Sequence, residues 1–121
     1  MKDVVVIIGA SPNPYRYSHI ATLLCLQKGI HIVPLGVKKG TIGDLEIITE
    51  KIPIDNVHTV SLYIGEDKQK EWYDYIFSLN PKRIIFNPGT YNPELEKLSR
   101  ERNIECVIDC TLSLLHLGSF F

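Results

Sequence analysis

The sequence is poor in the features that would place it in most specialised classes. Charge of one sign is missing: 13 Lys and Arg against 14 Asp and Glu leave a formal net charge of −1 over 121 residues. That is no basic footprint for nucleic acid, and it offers little attraction to an anionic membrane surface. Long apolar runs are absent, and none approaches the ~18 residues that span a bilayer. Met1-Lys2-Asp3 and the short apolar run behind it are too short, and end wrongly, for a secretory signal peptide. Cysteine is scarce and odd in number, at Cys25, Cys106 and Cys110, which points to a reducing, cytoplasmic setting rather than a disulfide framework. The four histidines, His19, His31, His58 and His116, have no metal-ligand spacing such as H-E-x-x-H. Repeats, low-complexity tracts and linkers are missing too, so residues 1–121 form one expected domain.

What is present is an alternation of strand and helix patterns. Val4 to Ile8 is a continuous β-branched run, as in a strand buried on both faces. The spacing predicts a helix over residues 18–28, with Ile20, Leu23, Leu24 and Gln27 inward and Gly29 as its stop. Residues 31–35 form a second strand, weakened or ended by Pro34, and residues 57–64 a third. Residues 66–79 carry the clearest helical pattern, with Trp72, Tyr75, Ile76 and Leu79 on one stripe. Strands at 83–86 and 105–108 flank a helix that Asn92 caps and Pro93 begins, ending near Asn103. Residues 36–56 predict a loop with a turn or short helix around 44–50, and a short apolar segment covers 112–117. Alternation with short connections implies an α/β fold: a mostly parallel, doubly wound sheet of about five strands with helices on both faces.

In such sheets, ligands sit at the carboxyl ends of strands. The first strand ends in Gly9-Ala10-Ser11. Gly9 permits a tight turn, Ala10 leaves room, Ser11 adds a hydroxyl, and a helix start near Ser18 aims free amides at an anion. Arg16 adds a guanidinium suited to phosphate. The second and third glycines of G-x-G-x-x-G are absent, so a plain turn is the competing reading. After the second strand, where an acid would hold the 2′-hydroxyl of NAD, stand Lys38 and Lys39. A lysine pair suits a phosphorylated ribose, that of NADP or of coenzyme A (CoA), or is simply solvated.

The stretches GASPNPYRYS (residues 9–18), PLGVKKGTIG (34–43) and NPGTYNPELEKLSRERNIE (87–105) resemble the small stand-alone CoA-binding proteins, relatives of the nucleotide-binding domain of the succinyl-CoA synthetase α subunit. The resemblance runs through nearly the whole chain and implies a Rossmann-like fold. It further implies that Gly9, Ala10 and Ser11 cradle the CoA pyrophosphate, with Asn13, Arg16, Tyr17 and Ser18 closing the loop. Lys38 and Lys39 would meet the ribose 3′-phosphate, and Tyr63, Ile64 and Gly65 would line the adenine or pantetheine groove. Asn87, Pro88, Gly89 and Thr90 would share the same sheet edge. The chain departs from many relatives by Leu35-Gly36-Val37 where they carry Asn-Pro.

No nucleophile, base and oxyanion site converge in the sequence. Cys106 and Cys110 follow C-x3-C rather than the redox C-x-x-C, and i,i+4 positions of a strand lie ~13 Å apart, too far for a disulfide. Cys110 and Thr111 are expected at the cleft, where the thiol would form a mixed disulfide with CoA. Asp109 has no partner in sequence, and His19 is expected as a solvated residue near the loop. Leu112 to Leu117 are expected to cover the sheet, while Phe120 and Phe121 suggest a groove or a dimer interface. The leading reading is a cytoplasmic CoA or acyl-CoA binding module with no metal and no catalytic residue. The alternatives are a small NADP-dependent reductase, an acyl-CoA ligase subunit needing a partner chain, and an interaction protein.

Overall fold

The computed structural model describes residues 2–118, 120 and 121. In chain order the elements are β1 (Val4–Ile8), α1 (Tyr17–Gln27), β2 (His31–Leu35), the two-residue strands β3 (Thr41–Ile42) and β4 (Leu45–Glu46), β5 (Val57–Leu62), α2 (Glu66–Gln69), a 3₁₀ turn (Lys70–Trp72), α3 (Tyr73–Ser78), β6 (Arg83–Phe86), α4 (Pro93–Glu101), β7 (Glu105–Ile108) and α5 (Thr111–His116). Five of the strands pair in parallel in the order β2-β1-β5-β6-β7. The expected doubly wound α/β sheet is therefore the fold.

β1 is central, and Val5 to Ile8 have no exposed surface. Val6 and Ile8 join the cluster of Ile76 and Leu95 on one face, and Val5 and Ile7 that of Cys25 and Leu115 on the other. An unbroken β-branched run is what a strand with two covered faces requires. Each such side chain contributes about 1.5–3 kcal/mol on burial. The chain builds outward from β1 to β2, then returns to place β5 against the other side of β1. The strand order thus reverses between β1 and β5, the place where open α/β sheets leave a crevice.

Several expectations need correction. The buried residues of α1 are Ser18, His19, Ala21, Thr22 and Cys25; of the expected Ile20, Leu23, Leu24 and Gln27, the two leucines pack against the core partly buried, while Gln27 is exposed and Ile20 is 39% exposed. Small residues let the helix lie close to the sheet, and the Thr22 hydroxyl is satisfied by donating to the Ser18 carbonyl at 2.8 Å. Residues 41–46 form an antiparallel hairpin turning at Gly43, φ +58°, where a loop with a turn or short helix around residues 44–50 was expected. Leu23 and Leu26 lie against that turn. Pro34 stays within β2, an edge strand, and its carbonyl faces outward to accept from the Ile48 amide at 2.9 Å. Its missing N–H falls on the same outer side, so no ladder bond is lost.

The helix expected over 66–79 is broken by the 3₁₀ turn. Gln69 is wholly buried, and its amide donates to the Ile64 and Thr90 carbonyls, fixing the first turn. Ile76 and Leu79 dock α3 in the core. Two anchors with different phases are joined by a tighter turn. The third strand ends at Leu62; the Tyr63 amide still donates to the Ile8 carbonyl, and Ile64 lies beyond the strand. Phe120 needs no partner chain: it is 4% exposed and lies over the Arg83 guanidinium at 4.6 Å. Phe121 is exposed and meets His58 edge-on.

Candidate functional site

The crevice at the point of strand reversal holds a cleft of about 520 Å³, within the ~300–1,000 Å³ usual for small-molecule sites. Its walls come from the segments that leave β1, β2, β5 and β6. Gly9, Ala10, Ser11, Arg16, Tyr17, Ser18, Lys38, Tyr63, Ile64, Pro88 and Thr90 all line it. Arg16, Lys38 and Lys68 stand against Glu71 alone, so a chain of nearly balanced charge gathers local positive charge here.

The floor is made by close backbone approach. Gly9 has φ +101°, and a Cβ there would come 2.9 Å from the Tyr63 carbonyl carbon; a Cβ on Gly36 would come 2.3 Å from the Ala10 carbonyl oxygen. The Gly9 and Ala10 amides both donate to the Leu35 carbonyl, at 2.9 and 2.8 Å, and Tyr63 donates to the Ile8 carbonyl at 2.8 Å. Three strand ends are laced together here, and only glycine fits at two of the crossings.

Above that floor the β1–α1 loop is held by its own polar groups. The Ser11 hydroxyl accepts from the Asn13 amide, and the Asn13 side chain accepts from the Tyr15 amide. His19 is buried rather than solvated, and its Nδ1 lies 2.8 Å from the Ser11 carbonyl oxygen. α1 begins at Arg16 with no cap from any described side chain and no acid in its first turn. The start of an 11-residue helix is left open beside a guanidinium.

Other expected residues are placed elsewhere. Asn13, Lys39, Gly65, Asn87 and Gly89 do not line the cleft. Asn87 faces inward: its amide donates to the Ser61 hydroxyl and the Leu62 carbonyl, and its oxygen accepts from the Thr111 amide. Gly65 precedes α2 as its N-cap, and Gly89, φ +85°, makes the turn before Thr90. Cys110 and Thr111 do not line the cleft either; Thr111 is buried against Ser61 at 2.8 Å. Cys25 is buried, and burial pushes its thiol pKa up to about 12, which makes it an inert packing residue. Burial also raises the pKa of Tyr63, whose hydroxyl has no hydrogen-bond partner among the described residues.

Gly36, Val37, Lys68, Glu71 and Trp72 line the cleft but are not among the residues expected there. Gly36 and Val37 were legible as the end of β2. Lys68, Glu71 and Trp72 depend on the break between α2 and α3, for which the helical spacing carries no signal.

Among solved structures, one described as an uncharacterized protein superimposes with a TM-score of 0.95 at 44% identity, covering 99% of each chain. A protein described as cell-free ID.343 from Thermus thermophilus matches at 18% identity and a TM-score of 0.84, over 98% of this chain and 91% of that one. A hypothetical protein from Pyrococcus horikoshii OT3 matches at 22% identity and 0.83, over 97% and 83%. The last two share the fold. No curated protein matches the chain. A family model for the CoA binding domain matches residues 3–116, nearly the whole of the chain. The chain belongs to the CoA binding domain family.

Proposed function

We propose that the protein is a binding module for CoA or acyl-CoA, and that it holds this ligand in the cleft between β1 and β5. The observation that carries the reading is the open start of α1 with Arg16 beside it, over a floor where Gly9 and Gly36 leave no space for a side chain. Open amides, a helix N-terminus and a guanidinium together fit a pyrophosphate. Gly9, Ala10, Ser11, Arg16, Tyr17 and Ser18 would surround it. Lys38, across the β1–β2 crossing, would meet the ribose 3′-phosphate. Asn13 and His19 would shape the loop without touching the ligand. The kinship with the succinyl-CoA synthetase domain belongs to this reading, as does a cytoplasmic setting, which suits three free thiols. No helix of the described residues is long and apolar enough to cross a membrane.

In this reading the module binds and presents its ligand, and no residue of the cleft is assigned a catalytic role. Thermal unfolding with CoA, dephospho-CoA and NADP, each at the same excess, tests this. A ligand at ~100 times its dissociation constant stabilises the native state by ~2.7 kcal/mol, a shift of several degrees for a chain of this size. CoA is expected to raise the midpoint most and dephospho-CoA less. A larger shift with NADP would replace the reading with a reductase.

A further inference from the structure

The cleft has two unlike ends, and strand order arranges them. Lys38 follows β2, Gly9 to Ser18 follow β1, Ile64 to Trp72 follow β5, and Pro88 and Thr90 follow β6. Since the sheet runs β2-β1-β5-β6, the cleft passes from Lys38 through the loop with Arg16 to a wall of Ile64, Trp72, Pro88 and Thr90. One end is cationic and suits phosphates. The other offers an indole, an isoleucine and a proline, with Lys68 and Glu71 as charges of opposite sign beside them.

Trp72 reaches that wall because of the 3₁₀ break, which sets the turn Lys70–Trp72 between two anchored helices. Its position is reinforced from a separate segment. The Lys51 ammonium donates to the Glu71 carbonyl at 2.7 Å and lies 4.7 Å from the centroid of the Trp72 ring. Tyr75 meets the same ring edge-on at 5.9 Å, and its hydroxyl donates to the Ile52 carbonyl at 2.6 Å. A half-exposed indole held by a cation and a second aromatic ring is an amphipathic platform that has already lost most of its rotamer freedom.

We infer that Trp72 is the contact for the pantetheine arm and thioester end of the ligand, with Lys51 as its positioning residue. This rests on the CoA reading and adds a direction to it: phosphates lie toward Lys38, and the sulfur lies toward Trp72 and Pro88. Cys110 is outside the cleft lining.

Trp72 is the sole tryptophan, so its fluorescence reports on this wall alone. The experiment titrates the protein with CoA and with adenosine 3′,5′-bisphosphate, which has the phosphorylated ribose but no pantetheine. Fluorescence and calorimetric heat are read together, on the native chain and on Trp72→Ala and Trp72→Leu. CoA is expected to shift the emission, while the bisphosphate binds and leaves it unchanged. Trp72→Ala is expected to weaken CoA on the order of tenfold, the cost of one aromatic contact, and to leave the bisphosphate within about twofold. Trp72→Leu, which keeps apolar volume, falls between. CoA that binds with silent fluorescence, or a substitution that weakens both ligands equally, overturns the inference and leaves the CoA reading standing. Heat from neither ligand overturns both.

Discussion

Of the helices that begin at the carboxyl edge of this sheet, α1 behind β1 and α4 behind β6 begin differently. α4 is closed by its own residues. The Asn92 side chain accepts from the amides of Glu94 and Leu95, Pro93 fills the first position, and Glu94 and Glu96 place negative charge against the helix dipole. α1 has none of this: a basic residue at its cap position, no acid in its first turn and no cap from a described side chain. Helix starts leave four amides to be satisfied. In α4 the chain supplies the partners. In α1 the Arg16 and His19 amides donate to the Asn13 and Arg16 carbonyls, and those of Tyr17 and Ser18 are left to solvent or to a bound anion. A loop rich in Gly, Asn and Pro is scaffold where its polar groups turn inward and a site where they do not.

The largest effect expected of breaking this comparison is on the closed helix. Asn92→Ala removes both cap bonds and the donors to Gln69 and Tyr73, leaving buried groups unpaired, and should cost about 3 kcal/mol in urea unfolding. CoA affinity of the folded fraction should change little.

Arg16→Asp makes α1 begin as α4 does. The account expects the unliganded protein to gain roughly 0.5–1 kcal/mol from the new cap and the dipole. CoA binding should fall by about two orders of magnitude, as a charge-assisted bond is lost and a like charge faces the phosphates. Chemical denaturation and calorimetry on one variant therefore move in opposite directions. Parallel movement would mean that Arg16 is structural.

Lys38→Ala sharpens the comparison at its cationic side. Affinity for CoA should fall by roughly tenfold, while dephospho-CoA binds as before, so the two ligands become hard to tell apart by calorimetry.

The smallest effect lies at the opposite edge of the sheet. His58 accepts or donates at Thr59 and packs against Phe121. Burial, with Arg83 beside it, holds its pKa below the ordinary 6.5. The unfolded chain therefore binds a proton at higher pH than the folded one. The associated stability is full above the ordinary histidine value and is lost as pH falls through that value toward the lowered one. The midpoint should dip slightly over this acid window. His58→Gln should remove the dip.

Much of the fold was legible because its signals are local. The run Val4 to Ile8, the Asn92-Pro93 start of α4 and the glycine at the end of β1 each carry their structure in neighbouring residues. The Gly9–Ser18 segment was legible as a site for the same reason. What was not legible depends on distant partners. Gln69 fixes the first turn after β5 through Thr90, 21 residues away, and so breaks a helix whose apolar stripe is otherwise continuous. Trp72 enters the cleft only through that break. Asn87 carries the same residue type whether it faces a ligand or Ser61 and Thr111, and only the packing of α5 decides. The face of α1 misled because closeness to the sheet favours small Ala21 and Thr22, which leaves Leu23 and Leu24 only partly buried and Ile20 exposed.

The central claim is that the open start of α1 faces the ligand. Backbone amide shifts followed by nuclear magnetic resonance during a CoA titration test it most directly. The account predicts the largest changes at Gly9, Ala10, Ser11, Tyr17 and Ser18, with smaller ones at Lys38 and Thr90. Changes centred instead on the groove of Asp55, Asn56 and Asn80 at the opposite edge, or no changes at saturating CoA, would contradict it.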